Sequence, residues 1–304
     1  MSSSNYSAAS SNEVHSPYGY VPTAAVCITF IALFGLSAIL HLGQAIRYKT
    51  WWMIPSVFIG NFGETVGWSG RFWSSKNPGL LDPYLMQITC TIIAPSFMSA
   101  ANFTILGYII RRLGTQYSRL SPRWYLIIFI GLDVASLTVQ AIGGAKASGA
   151  AQNDEDAGPG GRIMLYGIVT QMIALTAYVA LGTEFIVRYT LNKPARAIAV
   201  QNTQGSDVTL DEKVSRPAID RNTKLMLLGL IINTVFLFIR AIYRTIELND
   251  GWDGSIITNQ ALFNWLDGMP ITVCTYTFNL FHPGPLLFRQ NQREQSEETK
   301  EIDA

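Results

Sequence analysis

Glu64, Arg71, Asp133, Arg240, Arg244, Glu247 and Asp267 are charged side chains set within or beside stretches that are otherwise apolar. An ionisable group at bilayer depth is costly, so it normally faces the interior of a helix bundle and finds a partner there. Carboxylates held in such a place can receive an ammonium group, and arginines can hold the carboxylates. Glu64 and Arg71 are seven residues apart, which on a helix puts them on nearly one face and about 10 Å apart along it. A direct pair is not expected at that distance, so each should meet other helices. Gly67 and Gly70 between them allow a neighbouring backbone to come close. Arg240 and Arg244 share a face at one-turn spacing, and Glu247 can reach Arg244. That leaves Arg240 as the expected partner of Glu64 or Asp267. Asp133 and Gln140 repeat the seven-residue spacing on another segment.

The segments that must position these groups are long and apolar. Hydrophobic residues make up 49% of the 304 and charged residues only 14%, and the apolar ones are gathered into blocks of about 20, the length that crosses a ~30 Å hydrocarbon core. A single soluble core would not need seven such blocks. The expected fold is therefore all-α, a polytopic membrane protein with seven transmembrane helices. The spans read as 24–46, 53–73, 84–110, 124–145, 163–187, 225–243 and 260–281. Residues 1–21 read as an extracellular tail, 22–284 as the transmembrane domain with a mobile cytoplasmic loop at 188–224, and 285–304 as a cytoplasmic tail.

Most of the 22 Lys and Arg fall on one side of this arrangement, and such residues accumulate on the cytoplasmic side. The N-terminus is accordingly expected outside and the C-terminus inside. A sequon at Asn5 then lies where glycosylation occurs, which fits any membrane of the secretory pathway. Counting inward from the outer end of each span puts Gln87, Gln140, Arg240, Asp267, Gln171 and Glu64 in the outer half of the bilayer, with Asp133 nearer the middle. Polar groups from five or six helices at similar depth imply a cavity opening outward. A plainer reading stands beside this one: amides such as Gln87, Asn102, Gln140, Gln171 and Asn233 can simply hold helices together. Arg71, Arg244 and Glu247 lie close enough to the surface to snorkel. Pro95, Pro270 and Pro283 read as kinks or ends.

Several functions are disfavoured. Gly143-Gly144-Ala145-Lys146 lacks the spacing of a phosphate loop, so direct ATP hydrolysis is not supported. Cys27, Cys90 and Cys274 fall inside apolar segments with no zinc spacing, and no cofactor or metal is implied. Gly67-Trp68-Ser69-Gly70 matches the Gly-x-Ser-Gly of intramembrane serine proteases, but His41 and His282 belong to the opposite end of the spans and His15 to the tail, so no base reaches Ser69. The last span has no lysine for a retinal Schiff base. The basic residues are explained by topology, and no nucleic-acid motif accompanies them. An external N-terminus and seven spans also suit a receptor, although Ile109-Ile110-Arg111-Arg112 and Asn279-Leu280-Phe281-His282-Pro283 depart from the usual G-protein-coupled pattern. A receptor-like lipid sensor acting on a cytoplasmic partner is the alternative to a transporter.

Taken together, Tyr20-Val21-Pro22, His41, Glu64-x-x-Gly67-Trp68-x-x-Arg71, Ala94-Pro95, Asp133, Gln140-Ala141-x-Gly143-Gly144, Arg240-x-x-Tyr243-Arg244-x-x-Glu247, Asp267 and His282-Pro283-Gly284 carry a resemblance. The chain is similar to the fungal lipid-translocating exporter family over about residues 18–283. Trp68 stands where that family more often has tyrosine. The resemblance implies export or flipping of amphipathic lipids such as sphingoid long-chain bases, and tolerance of toxic sterol-like amphiphiles. A sphingoid base carries an ammonium on a large apolar body. The expectation is that Glu64 and Asp267 receive the amine, that Asp133 and Gln140 line the path, and that Arg240 is held in an ion pair which substrate disturbs. The partners are then the bilayer and a lipid or amphipathic small molecule, and the resemblance implies the plasma membrane as the location.

Overall fold

The computed structural model of the chain describes residues 16–153, 155–195, 219–252 and 254–288, and all regular structure among them is helical. The Asn5 sequon, His15, most of the 188–224 connection and the last sixteen positions lie outside the described residues.

Helix α1 (Ala24–Tyr48) stops at Lys49, whose left-handed backbone turns its N–H back onto the carbonyls of Ala45 and Ile46, a common way of closing a helix. A 3₁₀ turn (Trp51–Met53) and a π-helical turn (Ile54–Phe58) lead into α2 (Ile59–Lys76). Then come α3 (Leu81–Leu113), α4 (Pro122–Gln152), α5 (Gly158–Thr190) and α6 (Arg221–Asp250). Pro122 opens α4, a position where its missing N–H would have had no partner. Asp220 accepts from the Asn222 N–H to cap α6. The last rod is composite: α7 (Gln260–Phe263), a π-helical turn (Asn264–Gly268) and α8 (Met269–Leu280) follow without a break. Asn259 Oδ1 caps its start through the N–H groups of Ala261 and Leu262, and Pro270 sits in the first turn of α8. Pro95 lies inside α3 without ending it.

Each rod packs on the next, and α8 returns to α1, so the bundle closes. Helix α3 also touches α5, α6 and α8 and runs through the middle. Its most apolar stretch is 67% buried, against 28% to 33% in α1, α4, α5 and α6. The outer faces of these four carry exposed Leu36, Ile39, Ile127, Val134, Ile142, Ile173, Ile231 and Val235, an apolar perimeter far beyond what a soluble protein leaves bare. Trp51, Trp73 and Trp124 are exposed near helix ends, where indole rings suit a membrane interface. This is a polytopic membrane protein.

Among the described residues five helices are long and apolar enough to cross a bilayer: α1, α3, α4, α5 and α6. The 53–73 and 260–281 segments miss that standard for physical reasons. Helix α2 is 18 residues long but carries Glu64, Arg71 and Lys76 among glycines and serines, and the last rod is broken in regularity by the Asn264–Gly268 turn. The other segments are longer than the sequence implied, α6 above all, which continues past Tyr243 to Asp250. Two flanking regions are also more structured than their composition conveys. Residues 16–20 form a turn closed by the Gly19 N–H on the Ser16 carbonyl, and Leu287, in the final π-helical turn, is buried in the core.

Candidate functional site

Asp267 is the hub of a buried ion network. Its Oδ1 accepts from Arg240 Nε at 3.1 Å and from Arg244 Nε at 2.7 Å, and its Oδ2 accepts from Arg244 Nη2 at 2.8 Å. Arg244 Nη1 donates to Glu247 Oε2 at 2.8 Å, and the Tyr243 hydroxyl donates to Glu247 Oε1 at 2.7 Å. Helix α3 completes the set: Arg240 Nη2 donates to the Thr91 carbonyl and Arg244 Nη2 to Thr91 Oγ1, while Gln87 Nε2 also reaches Thr91 Oγ1. The π-helical turn carries Asp267 in the last rod, and α6 presents Arg240, Tyr243, Arg244 and Glu247 at spacings of three and four.

This corrects one expectation and decides between two alternatives of another. Arg244 is only 2% exposed and Glu247 3%, so neither snorkels; the extra turns of α6 keep both inside the bundle. Arg240 is therefore not the lone cation at its depth, and its carboxylate partner is Asp267, shared with Arg244, rather than Glu64. Asp267 has both acceptor sites of Oδ1 and one of Oδ2 filled by the arginines, so it is more fully engaged than Glu64.

Glu64 is different. It is buried on α2, and its Oε1 has no hydrogen-bond partner among the described residues. It lies within electrostatic reach of Asp267, Arg240 and Arg244. Three buried guanidinium groups, Arg71, Arg240 and Arg244, with Phe263 in contact with both Arg71 and Arg244, thus accompany three buried carboxylates, Glu64, Glu247 and Asp267, and among the described residues neither Glu64 nor Arg71 makes an ion pair. Asp133 on α4 is a second buried carboxylate with an unpartnered oxygen, Oδ2. Gln140, two turns along the same face, donates through Nε2 to Gln171 Oε1 at 3.1 Å, and Gln171 Nε2 donates to Ser96 Oγ at 2.6 Å.

Arg71 is buried too, against the expectation of snorkelling, because residues 16–20 fold over it. Its guanidinium donates to the Tyr20 hydroxyl and lies 4.2 Å from the Phe263 ring centroid, 4.8 Å from Tyr18 and 5.7 Å from Trp68. Aromatic faces attract a cation most strongly where water is excluded. Trp68 stacks on Phe30 at 4.0 Å, so the motif around Gly67 serves as one wall of the cage. Burial pushes the Tyr18 hydroxyl up to about 12, against the pull of Arg71, and raises that of Tyr20 for the same reason. Both phenols therefore stay neutral at physiological pH. Tyr20→Phe keeps the ring but removes the acceptor from a charged donor, which should lower stability by about 1.5 kcal/mol. Thermal melting in detergent would show it, and an unchanged melting curve would mean that the ring alone holds Arg71.

Gly67 and Gly70 bring α2 onto α3. A Cβ on Gly67 would lie 2.9 Å from Thr91 Cγ2, and one on Gly70 2.9 Å from the Pro83 carbonyl oxygen. Gly143 is pressed against α5, whereas Gly144 borders open space. His282 and Pro283 lie at the other end of the bundle, where the His282 ring neighbours His41 and Tyr48. Ser69 Oγ is engaged with the Thr65 carbonyl, far along α2 from both histidines. Among the described residues no group of three His, Cys, Asp or Glu side chains is placed to hold a metal.

Two cavities accompany these groups. One, of about 540 Å³, is a cleft between α3 and α4 at the end of the bundle where Arg71 and Glu247 lie. The other, of about 30 Å³, is bordered by Ser96, Asp133, Gln171 and Arg240. Thr91, the aromatic cage and the cleft had no assigned role in the sequence reading. The one usable signal was Tyr20-Val21-Pro22, recognised as a motif but without a partner.

A closed bundle of apolar rods around a buried ion network defines an all-α polytopic membrane protein. The family described as "RTA1 like protein" matches residues 57–291, and the chain belongs to it. It is similar to the sphingoid long-chain base transporter RSB1 of Saccharomyces cerevisiae (strain Lalvin EC1118), at 29% identity over 290 residues covering 91% of this chain and 75% of that protein. It is also similar to Protein RTA1 of S. cerevisiae, at 28% over 78% of this chain and 67% of that one. A third relative is the protoporphyrin uptake protein 1 of the same yeast, at 25% over 86% of this chain and 90% of that one. No solved structure matches.

Proposed function

We propose that this protein moves an amphipathic lipid with an amine head group, such as a sphingoid long-chain base, across the membrane and so protects the cell from toxic amphiphiles. The observation that carries the reading is Glu64: a buried carboxylate whose Oε1 has no hydrogen-bond partner among the described residues, beside the network that Asp267 holds together. An ammonium group would donate to that oxygen and pair it, which is the complement a buried polar group demands. Asp267 anchors the network and offers the amine one remaining acceptor site on Oδ2, Glu64 being the more open of the two carboxylates, and Arg240 is the member whose bond substrate would disturb. The similarity to a sphingoid-base transporter supports the same chemistry. In this reading all seven rods cross the bilayer, with the N-terminus outside, the C-terminus in the cytoplasm and the plasma membrane as the site of action. No phosphate loop is present, so movement is downhill, ion-coupled or assisted by another protein.

The test is transbilayer movement of a fluorescent sphingoid base in liposomes holding the purified protein, without nucleotide. Wild type should accelerate movement, and Glu64→Gln should slow it at least tenfold, about 1.4 kcal/mol in the barrier, with no loss of thermal stability. Movement at the wild-type rate in Glu64→Gln would remove Glu64 from the path. Binding that needs Glu64 with no movement at all would replace the translocator by a lipid sensor.

A further inference from the structure

Between α3 and α4 the bundle leaves a cleft of about 540 Å³, within the range that encloses a small molecule. It exists because the α4 wall is built of small residues, Ala141, Gly144, Ala145 and Ser148, opposite Leu85 and Ile88 of α3. Ala141 and Ala145 are exposed, so the cleft opens sideways, toward lipid. Its volume is that of about eighteen water molecules at roughly 30 Å³ each, room for one long alkyl chain.

One polar group intrudes. Gln140 lines the cleft and is buried, and its Oε1 has no partner. Its Nε2 holds Gln171, which holds Ser96. Gln171 and Ser96 also border the inner cavity of about 30 Å³, the size of one water. The same cavity is bordered by Asp133, whose Oδ2 has no partner among the described residues, and by Arg240. Arg240 is the one cation bordering the cavity, and it is committed to Asp267 and the Thr91 carbonyl. The two amides thus form a partition between an apolar space open to the bilayer and a carboxylate that lacks a counter-charge.

We infer that the α3–α4 cleft is a lateral port for a single-chain amphiphile, whose alkyl chain lies along the cleft while Gln140 passes its cationic, hydrogen-bond-donating head group to Asp133. This rests on the translocation reading above and adds a head-group station on the opposite flank of α3 from Glu64. The head group must displace the Gln140–Gln171 bond to pass, so the unpartnered Gln140 Oε1 is its first acceptor.

A long-chain primary amine carrying a mid-chain diazirine, with its N-acetyl counterpart as the neutral control, tests this in liposomes of the full-length protein. Light should label the Leu85–Ile88 and Ala141–Ala145 stretches, and the amine should label them at least tenfold more efficiently than the amide. Asp133→Asn, or Gln140→Met as a second variant, should bring the amine down to the amide. Ala141→Trp, which fills the cleft, should abolish labelling by both, and Ile173→Trp on the exposed face of α5 should leave it unchanged. Labelling that survives Ala141→Trp, or equal labelling by amine and amide, overturns the port. If sphingoid base moves at the wild-type rate in both Ala141→Trp and Asp133→Asn, the port falls and translocation stands. If the cleft labels in the expected pattern while wild type moves nothing, the port stands as a binding site and translocation falls.

Discussion

Asp267→Ala should cost about 5 kcal/mol and leave little folded protein to purify. Removing one partner of a buried ion pair typically costs about 3–5 kcal/mol, because the other charge stays buried and alone. Here one carboxylate serves two guanidinium groups through three hydrogen bonds, so the upper end applies. A domain's whole margin is about 5–15 kcal/mol. Asp267→Asn preserves shape and one acceptor and should cost less, about 3 kcal/mol. Adding Arg240→Met to Asp267→Ala should recover part of the loss, since Arg244 keeps Glu247 at 2.8 Å while Arg240 no longer has to be buried unpaired. Size-exclusion profiles and tryptophan-detected melting would order the three variants. An Asp267→Ala protein that melts with wild type would show that the arginines find other partners, and the hub would lose its place in the account.

Gly143→Val is expected to separate α4 from α5 and to destabilise the protein by about 3 kcal/mol, the upper part of the range for overpacking. A Cβ at Gly143 would sit 2.5 Å from the Met164 backbone nitrogen and 2.8 Å from the Gly160 carbonyl oxygen, and backbone atoms cannot rotate out of the way. The next residue is the control. At Gly144 the nearest neighbour is Met164 Sδ at 3.8 Å, so Gly144→Ala fits, loses no contact and gains helix propensity. Adjacent glycines of one motif should therefore behave in opposite ways in the same melting assay. Equal tolerance at both positions would mean that α4 and α5 are not held this closely.

The contrast shows what sequence could and could not carry. Apolar block length located the five long rods, and counting depth from helix ends put Arg240 and Asp267 at one level, where they do pair. Arg244 and Glu247 were legible as an i, i+3 pair, yet ending α6 at Tyr243 sent both to the surface; the Arg-x-x-Tyr-Arg-x-x-Glu spacing itself argued for another turn and a half of buried helix. Glu64 and Arg71 were correctly kept apart by their seven-residue spacing, but Arg71's partners come from residues 16–20 and from Phe263, which no local pattern connects to it. The π-helical turn at Asn264–Gly268 has no propensity signature, because wide turns are made by packing. The cleft is likewise a property of two facing walls, and only the small residues of the α4 wall were visible beforehand.

The position of α3 at the centre of the bundle sets a problem of timing during synthesis. It is the least apolar of the five long spans and the most buried, with Gln87, Thr91 and Asn102 turned to its neighbours. The ribosome finishes α3 long before Arg240, Arg244 and Asp267 exist. About 150 residues separate its end from Asp267, on the order of ten to thirty seconds at roughly 5–20 residues per second. Throughout that interval Gln87 and Thr91 lack the arginines that later engage Thr91, so the segment must be shielded by α2 through its glycine face or by an insertion chaperone. Yield in a foreign host should accordingly respond more to slowed translation after α4, and to added membrane chaperones, than to any change at the lipid-facing perimeter.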